Sequence, residues 1–189
     1  MTAEGFALAF DIRTSPDPFW SASGAMLFLF PIMGILLFVF APKLPNLISP
    51  RSMLARRVIA GFVVLFSVPL ALIVTVSRYN DRSDWTAQLA SGEADFVEGC
   101  LDWFHPMPRD GHESEIVAVD GRVFRYSDFN LTTPFNNTRS HGGPIESTSA
   151  VRIWHDGNAI LRLEVRRQAC PSAADPGADG PPSGYGTIY

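Results

Sequence analysis

The residues of this chain best suited to chemistry are four histidines and two cysteines, all in its C-terminal half. Both side chains ligate transition metals, and histidine also transfers protons near neutral pH. His105 and His112 share one proline- and glycine-containing stretch, His141 lies in another, and His155 precedes an Asp-Gly-Asn turn. None has the spacing of a metal motif such as HExxH. We therefore predict no metal and no cofactor, with His105, His112 and His141 as the candidates for a metal titration.

Catalysis is not predicted either. The sequence contains no G-x-S-x-G nucleophile elbow and no alternating α/β pattern that would hold one. Acid–base catalysis by Asp102, Asp110 or Glu113 would need a buried partner that the sequence does not identify. We expect a protein that is not an enzyme.

The two cysteines, Cys100 and Cys170, flank the strand-rich region of the chain. If their segments are neighbours in the fold, an oxidising compartment would allow a disulfide between them. The alternative is two unpaired buried thiols. We predict the disulfide.

Two apolar runs organise the first half of the chain. Neither the run 19–40 nor the run 58–76 contains a charged residue. At about 1.5 Å per residue the first extends roughly 33 Å, enough to cross the hydrocarbon core of a bilayer. A soluble helix of this length normally has a polar face, which both runs lack. The sequence predicts a two-helix transmembrane hairpin over residues 19–77.

Four residues of this hairpin are predicted packing positions. Pro31 and Pro69 each stand inside an apolar run, where a bilayer favours a kink over a helix end. Gly24 and Gly61 are small enough to permit close approach of a neighbouring helix. The alternative is that such small residues are only tolerated there.

The charge between the two runs gives the hairpin a direction. Residues 42–57 carry four cations and no acid, whereas the leader, residues 1–18, is net acidic. The positive-inside rule places residues 42–57 in the cytoplasm, and both termini outside it. A cleaved signal peptide is not predicted, because the first run is too long and a second follows. Every basic residue except Lys43 is arginine, which is typical of GC-rich bacterial genomes, so we expect a bacterial inner membrane.

Residues 78–93 are polar with weak helical character and predict a stalk or short helix, followed by a β domain over residues 94–170. Asp120-Gly121 between two β-rich runs predicts a hairpin with a type I′ turn. The expected pairs are Val119 with Arg122, Ala118 with Val123, Val117 with Phe124 and Glu115 with Tyr126.

A second hairpin is predicted around a three-residue loop, residues 156–158. The expected pairs are Ile153 with Leu161, Val151 with Leu163 and Arg152 with Arg162. Four or five short strands with one long connection predict a small antiparallel β-barrel, OB-like, on a membrane anchor: an α+β fold class.

The connection over residues 128–148 is longer than most loops of a compact domain, which is often a sign of function. Its candidate interaction residues are Phe129, Phe135 and His141. Residues 171–189 are rich in proline, glycine and aspartate, and predict a disordered tail.

A membrane anchor joined to a small β-barrel resembles the NfeD-like bacterial membrane proteins. The segments VDGRVFRYS and AVRIWHDGNAILRLEV are similar to the closing strands of such OB-like domains, over about 70 residues. The resemblance is one of architecture. It implies a poorly characterised membrane protein and assigns no functional residue.

These features together predict a non-catalytic accessory subunit of a larger integral membrane complex, with the lipid bilayer as its other partner. Nucleic acid is not expected as a partner, because residues 78–189 are net acidic and predict no basic patch. The alternative is an extracytoplasmic sensor that binds a ligand or metal through the long connection and its histidines.

Overall fold

The computed structural model describes residues 5–17, 22–40, 53–110, 113–130 and 132–175. The chain forms two compact units. The helical unit is Asp17–Asp81, and the β-rich unit combines Met1–Pro16 with Arg82–Tyr189. The helical unit is therefore inserted between two parts of the sequence that fold together.

The helical unit consists mainly of α1, Ala22–Phe40, and α2, Met53–Ser91, whose last turns belong to the β-rich unit. α2 is long and apolar enough to cross a membrane, because an 18-residue segment of it has a mean hydropathy of 2.6. The apolar helix Ala25–Phe40 within α1 is shorter. One helix of the described part thus meets the requirements of a membrane span, where the sequence predicts two.

α2 includes most of residues 78–93, the predicted stalk, because the helix continues without a break to Ser91. Thr75 and Thr86 each donate a side-chain hydrogen bond to the carbonyl four residues earlier, which satisfies their hydroxyls within the helix. The chain then turns at Gly92, whose φ of 78° favours glycine at a helix end.

The described residues of the β-rich unit form seven strands. They are β1 (Ala7–Asp11), β2 (Asp95–Cys100), β3 (Trp103–His105), β4 (Glu115–Val119), β5 (Arg122–Tyr126), β6 (Ala150–Asp156) and β7 (Ala159–Arg166). They build two antiparallel sheets, one in the order β1-β7-β6-β2 and one in the order β3-β4-β5.

The inner faces of the two sheets share one apolar core. Val117 and Phe124 of the smaller sheet pack in the same cluster as Ile153 and Leu163 of the larger one. The α+β class with antiparallel sheets is confirmed, but the closed OB-like barrel is wrong for the described strands. The ladders stop at sheet edges, and β2 and β3 belong to different sheets although only two residues separate them, so the described strands form two open sheets.

The β4–β5 hairpin has the predicted register, and all four predicted pairs are present. Asp120 and Gly121 have φ values of 48° and 74°, as a type I′ turn requires. Because the turn residues fix the register locally, the sequence was sufficient to predict it.

The β6–β7 hairpin differs from the prediction. Asp156 pairs with Ala159 around a two-residue loop, and a bulge between Trp154 and His155 shifts the ladder. The bulge keeps the apolar residues on the core face despite the short loop. It also sets Arg152 opposite Glu164, which avoids the like-charge pair that a regular three-residue loop would create. The three predicted pairs of this hairpin are therefore wrong.

The predicted leader forms part of the β-rich unit. β1 pairs with β7 as an edge strand, and Phe6 and Ile12 on either side of β1 are buried. Two guanidinium groups lie over the Phe6 ring, those of Arg152 at 4.3 Å and Arg166 at 4.9 Å from the ring centroid. Residues 171–175, assigned to a disordered tail, are ordered against β3.

Candidate interaction site

A buried carboxylate holds the long connection between β5 and β6 in place. One oxygen of Glu115 accepts a hydrogen bond from the Tyr126 hydroxyl (2.6 Å). The other accepts one from the backbone N–H of Arg139 (2.8 Å), which opens a short 3₁₀ turn, Arg139–His141. A single side chain at the start of β4 therefore fixes the middle of the connection.

Burial determines the proton equilibria of this pair. Removal from water raises the pKa of the Glu115 carboxyl, while the hydrogen bonds from Tyr126 and Arg139 act in the opposite direction. Burial, and after it the adjacent carboxylate, raises the pKa of Tyr126. The phenol therefore keeps its proton and remains the donor to Glu115.

A glycine closes the turn that follows. The N–H of Gly143 donates to the Thr138 carbonyl (2.7 Å). A Cβ on Gly143 would overlap the Asn137 carbonyl oxygen and lie 2.6 Å from the Thr138 carbonyl carbon. Only glycine fits this close approach of two backbone segments.

The connection has one exposed corner. Phe129 is 50% exposed, and its ring meets the His141 imidazole edge-on, with centroids 6.2 Å apart. Nδ1 of His141 contacts the Asp128 carboxylate, which also accepts a hydrogen bond from the Thr138 hydroxyl (3.0 Å). We call Asp128, Phe129 and His141 the Phe129 corner. The structure thus brings together two of the three candidates predicted on this connection.

Ser140, His141 and Asp128 do not form a catalytic relay. The Ser140 hydroxyl approaches Nδ1 of His141 (3.3 Å), which is the same nitrogen that contacts Asp128. A proton relay needs the hydroxyl on one ring nitrogen and the carboxylate on the other. This arrangement orients the imidazole and provides no activated nucleophile.

Phe135, the third predicted candidate, is a core residue. It is buried, and its ring packs edge-on against Phe10 (5.6 Å) and Tyr126 (5.1 Å). Its N–H donates to the Ile160 carbonyl, which ties the connection to β7. The residue therefore fills the core beneath β1 and is not available to a partner.

The histidines are dispersed. Nδ1 of His105 lies 2.8 Å from Asp175, and its Nε2 lies 3.8 Å from Glu113. His155 is buried beside Phe124, and burial lowers its pKa, so it is a neutral core histidine. His112 lies outside the described residues. Within the described ranges, no group of three potential ligands could hold a metal ion.

The predicted disulfide is confirmed. Cys100 at the end of β2 is bonded to Cys170, with 5.8 Å between the Cα atoms. The bond closes a loop of 70 residues that contains most of the β-rich unit. Loops of this length give a stabilisation of about 4 kcal/mol in the chain-entropy model.

A row of side chains across the larger sheet was not predicted. Phe96 on β2 is opposite Trp154 on β6, with ring centroids 4.9 Å apart, and the Arg162 guanidinium lies 4.8 Å from the Trp154 ring. The alternation of ADFVE and RIWHD indicates that Phe96 and Trp154 face away from the core. That β2 pairs with β6 cannot be read from either segment alone.

The four packing candidates of the helical unit have different surroundings. Pro31 is buried, Pro69 is exposed, and Gly61 borders an apolar depression that Ile35 also lines. The side-chain environment of Gly24 lies outside the described part. The close approach of α1 to α2 is made by Gly34, where a Cβ would lie 3.0 Å from the side chains of both Val63 and Val64. Gly34 was not predicted as a packing position, although it lies nearly one helical turn after Pro31, which was.

Comparison with known proteins found no matching family model, no matching curated protein and no matching solved structure. The resemblance to the NfeD-like proteins therefore rests on the sequence pattern alone and stays a prediction.

Proposed function

We propose that this chain is a non-catalytic accessory subunit of a bacterial inner-membrane complex. In this proposal α1 and α2 anchor the protein in the bilayer, and the β-rich unit lies outside the cytoplasm and contacts a partner protein. The pairing of β1 with β7 is the observation that carries the topology.

β1 precedes the helical unit and β7 follows it, yet Ala7 lies opposite Val165 and Asp11 opposite Arg162 in one ladder. Strands of one sheet lie on the same side of a membrane. The chain between them must then cross the bilayer an even number of times. Since α2 has the length and apolarity for one crossing, this pairing supports a second crossing by α1.

The length of α1 is compatible with that role. Its 19 residues extend about 28 Å at 1.5 Å per residue, close to the thickness of the hydrocarbon core. Large apolar side chains are exposed along both helices, among them Phe30 on α1 and Leu65 on α2. In water these side chains would form an unusually large apolar surface, whereas a bilayer solvates them.

The orientation is supported by charge and by the disulfide. Residues 42–57 carry four cations, which favours the cytoplasm for the segment between the helices. The Cys100–Cys170 bond favours an oxidising compartment for the β-rich unit.

Cysteine labelling tests this topology, because the two native cysteines are bonded and do not react. Ser15→Cys is expected to react with a membrane-impermeant maleimide in cells whose outer membrane has been opened. Ser52→Cys is expected to react only after the inner membrane is permeabilised. Labelling of both positions from the same side would contradict two crossings.

The Phe129 corner is the proposed contact with the partner. Exposed aromatic rings beside charged groups are typical of the residues that dominate binding at protein interfaces. The corner is also fixed by Glu115, so little conformational entropy is lost on binding.

Copurification in mild detergent tests the contact. Phe129→Asp is expected to reduce recovery of a copurifying membrane protein at least about tenfold, the effect of losing 1.4 kcal/mol. Leu8→Asp is the matched control, since Leu8 is also a large apolar residue of the β-rich unit and is 55% exposed. Equal recovery with both variants would exclude the corner, and a chain recovered only as a free monomer would exclude the accessory role.

A further inference from the structure

The segment that follows the disulfide makes one parallel β-bridge with the outer edge of β3, and we call this segment the added strand. β3 is an edge strand of the smaller sheet, and its other side is paired with β4. Trp103 forms a parallel bridge with Ala174, and the N–H of Phe104 donates to the Ala174 carbonyl (2.9 Å). The edge of β3 is thus filled by the chain itself.

The side chains of this segment match the edge in a defined pattern. Ala173 packs against the core cluster, and its N–H donates to the Ser147 carbonyl (2.8 Å). Two residues later, Asp175 reaches Nδ1 of His105 on β3 (2.8 Å). The site therefore accepts an extended backbone with a small side chain, followed two positions on by a carboxylate.

The disulfide stands at the start of this added strand. Cys170 is bonded to Cys100, three residues before Trp103, and the segment runs parallel to the chain from there. The covalent link keeps Ala173–Asp175 at high effective concentration beside β3. Cys100 is an exposed residue at the end of β2.

We propose that the outer edge of β3 is a strand-addition site, that Ala173–Asp175 is its resident occupant, and that the Cys100–Cys170 bond retains this occupant. Reduction of the bond lets an extended segment of a partner protein take its place. The partner segment carries the same pattern of a small residue and, two positions later, an acidic residue.

The redox step is an ordinary thiol–disulfide exchange with a dithiol reductant. A thiolate of the reductant attacks one sulfur, the S–S bond breaks, and a mixed disulfide forms. The second thiol of the reductant then displaces the protein thiolate. The protein gains two electrons and two protons as two thiols, and the reductant becomes a disulfide.

The test uses the full chain in detergent and a synthetic peptide that matches residues 171–178. The readout is hydrogen exchange at Phe104, with the β4–β5 amides as a measure of folding. In the oxidised chain the peptide is expected to leave exchange unchanged. After reduction with dithiothreitol, Phe104 is expected to exchange about tenfold faster or more, and the peptide is expected to restore its protection. A peptide with Asn in place of Asp175 is expected to be weaker.

Two variants separate the site from its redox control. A chain that ends after Ser172 keeps both cysteines and lacks the occupant, so it is expected to bind the peptide without reduction. Ala173→Asp keeps the full length and is expected to do the same. If either variant stays folded and fails to bind the peptide, the strand-addition site is wrong. If Phe104 stays protected after reduction, the redox control is wrong. Loss of β4–β5 protection in both variants would show that the segment is a fixed part of the core.

Discussion

The side chain of Asn158 pairs with the backbone of Arg125 as a neighbouring strand would. Its amide oxygen accepts a hydrogen bond from the Arg125 N–H, and its amide nitrogen donates one to the Arg125 carbonyl, both at 2.8 Å. Asn158 lies in the turn between β6 and β7, and Arg125 lies on the edge strand β5. One residue thus joins the two sheets and covers part of an edge that would otherwise be open to another chain.

Asn158→Ala is expected to lower the free energy of unfolding by about 1–2 kcal/mol, since two partly exposed hydrogen bonds are lost. Asn158→Asp keeps the acceptor and loses the donor. It is therefore also expected to lower the free energy of unfolding, by an intermediate amount or more. Urea denaturation followed by tryptophan fluorescence measures both. Asn136→Ala is the control, because Asn136 makes one exposed side-chain hydrogen bond, to the Asn130 carbonyl. Equal losses for Asn158→Ala and the control would contradict a bridging role.

Arg82, near the C-terminal end of α2, binds the segment that follows β1. One of its terminal nitrogens donates to the carbonyls of both Ile12 and Ser15, each at 2.7 Å. Arg82→Met removes both bonds and is expected to speed hydrogen exchange across β1 about tenfold, with little change in β4 and β5. Gln88→Met on the same helix is the control. Slower exchange in β1, or the same change in both variants, would show that Arg82 does not hold this strand.

Local turn chemistry accounts for what the sequence could predict. The Asp120-Gly121 turn fixes the β4–β5 register by itself, and Cys100 and Cys170 flank the strands closely enough to suggest their bond. The β6–β7 register depends on a bulge between Trp154 and His155, which no local residue indicates. The sequence pattern was compatible with a regular ladder there, so the wrong pairs followed.

Long-range contacts account for the features that the sequence could not predict. β1 is separated from β7 by the whole helical unit, and nothing in ALAFD indicates that its partner lies more than 150 residues away. Phe135 belongs to the core only because β1 and Tyr126 surround it, so a phenylalanine in a long loop was misread as exposed. The role of Glu115 was hidden for the same reason, since its donors come from β5 and from the 3₁₀ turn.

Gly143 tests how tightly the long connection is packed. Gly143→Ala places a Cβ against the Asn137 and Thr138 backbone, where no flexible side chain can give way. We expect a loss of about 1–3 kcal/mol in the free energy of unfolding, or local opening of the connection with faster exchange at Arg139. Gly142→Ala is the control, because a Cβ there meets no atom within 4 Å and the cost comes only from its φ of 92°. That cost is about 1–2 kcal/mol. An effect of Gly143→Ala smaller than that of the control would contradict the close packing.

Glu115 gives the β-rich unit a specific pH dependence. Because burial raises its pKa above the value in the unfolded chain, the folded state holds this proton more tightly than the unfolded state does. The contribution of Glu115 to stability is therefore complete below the ordinary glutamate pKa of 4.5 and is lost as the pH rises through the raised pKa. Glu115→Gln keeps an acceptor for Tyr126 or Arg139 and removes the titration.

The expected result is that the free energy of unfolding of Glu115→Gln, relative to the unchanged protein, increases as the pH rises from about 4 to 7. Urea denaturation at a series of pH values measures this difference. Asp11 is the useful contrast, because Arg13 binds its carboxylate and lowers its pKa. Asp11→Asn should therefore become relatively less stable as the pH rises through the lowered pKa of Asp11 towards the ordinary aspartate value of 3.8. A difference for Glu115→Gln that falls as the pH rises would mean that the hydrogen bonds from Tyr126 and Arg139 outweigh burial and lower the pKa of Glu115. A difference that is constant with pH would mean that the two effects cancel. Either result would contradict a raised pKa for Glu115.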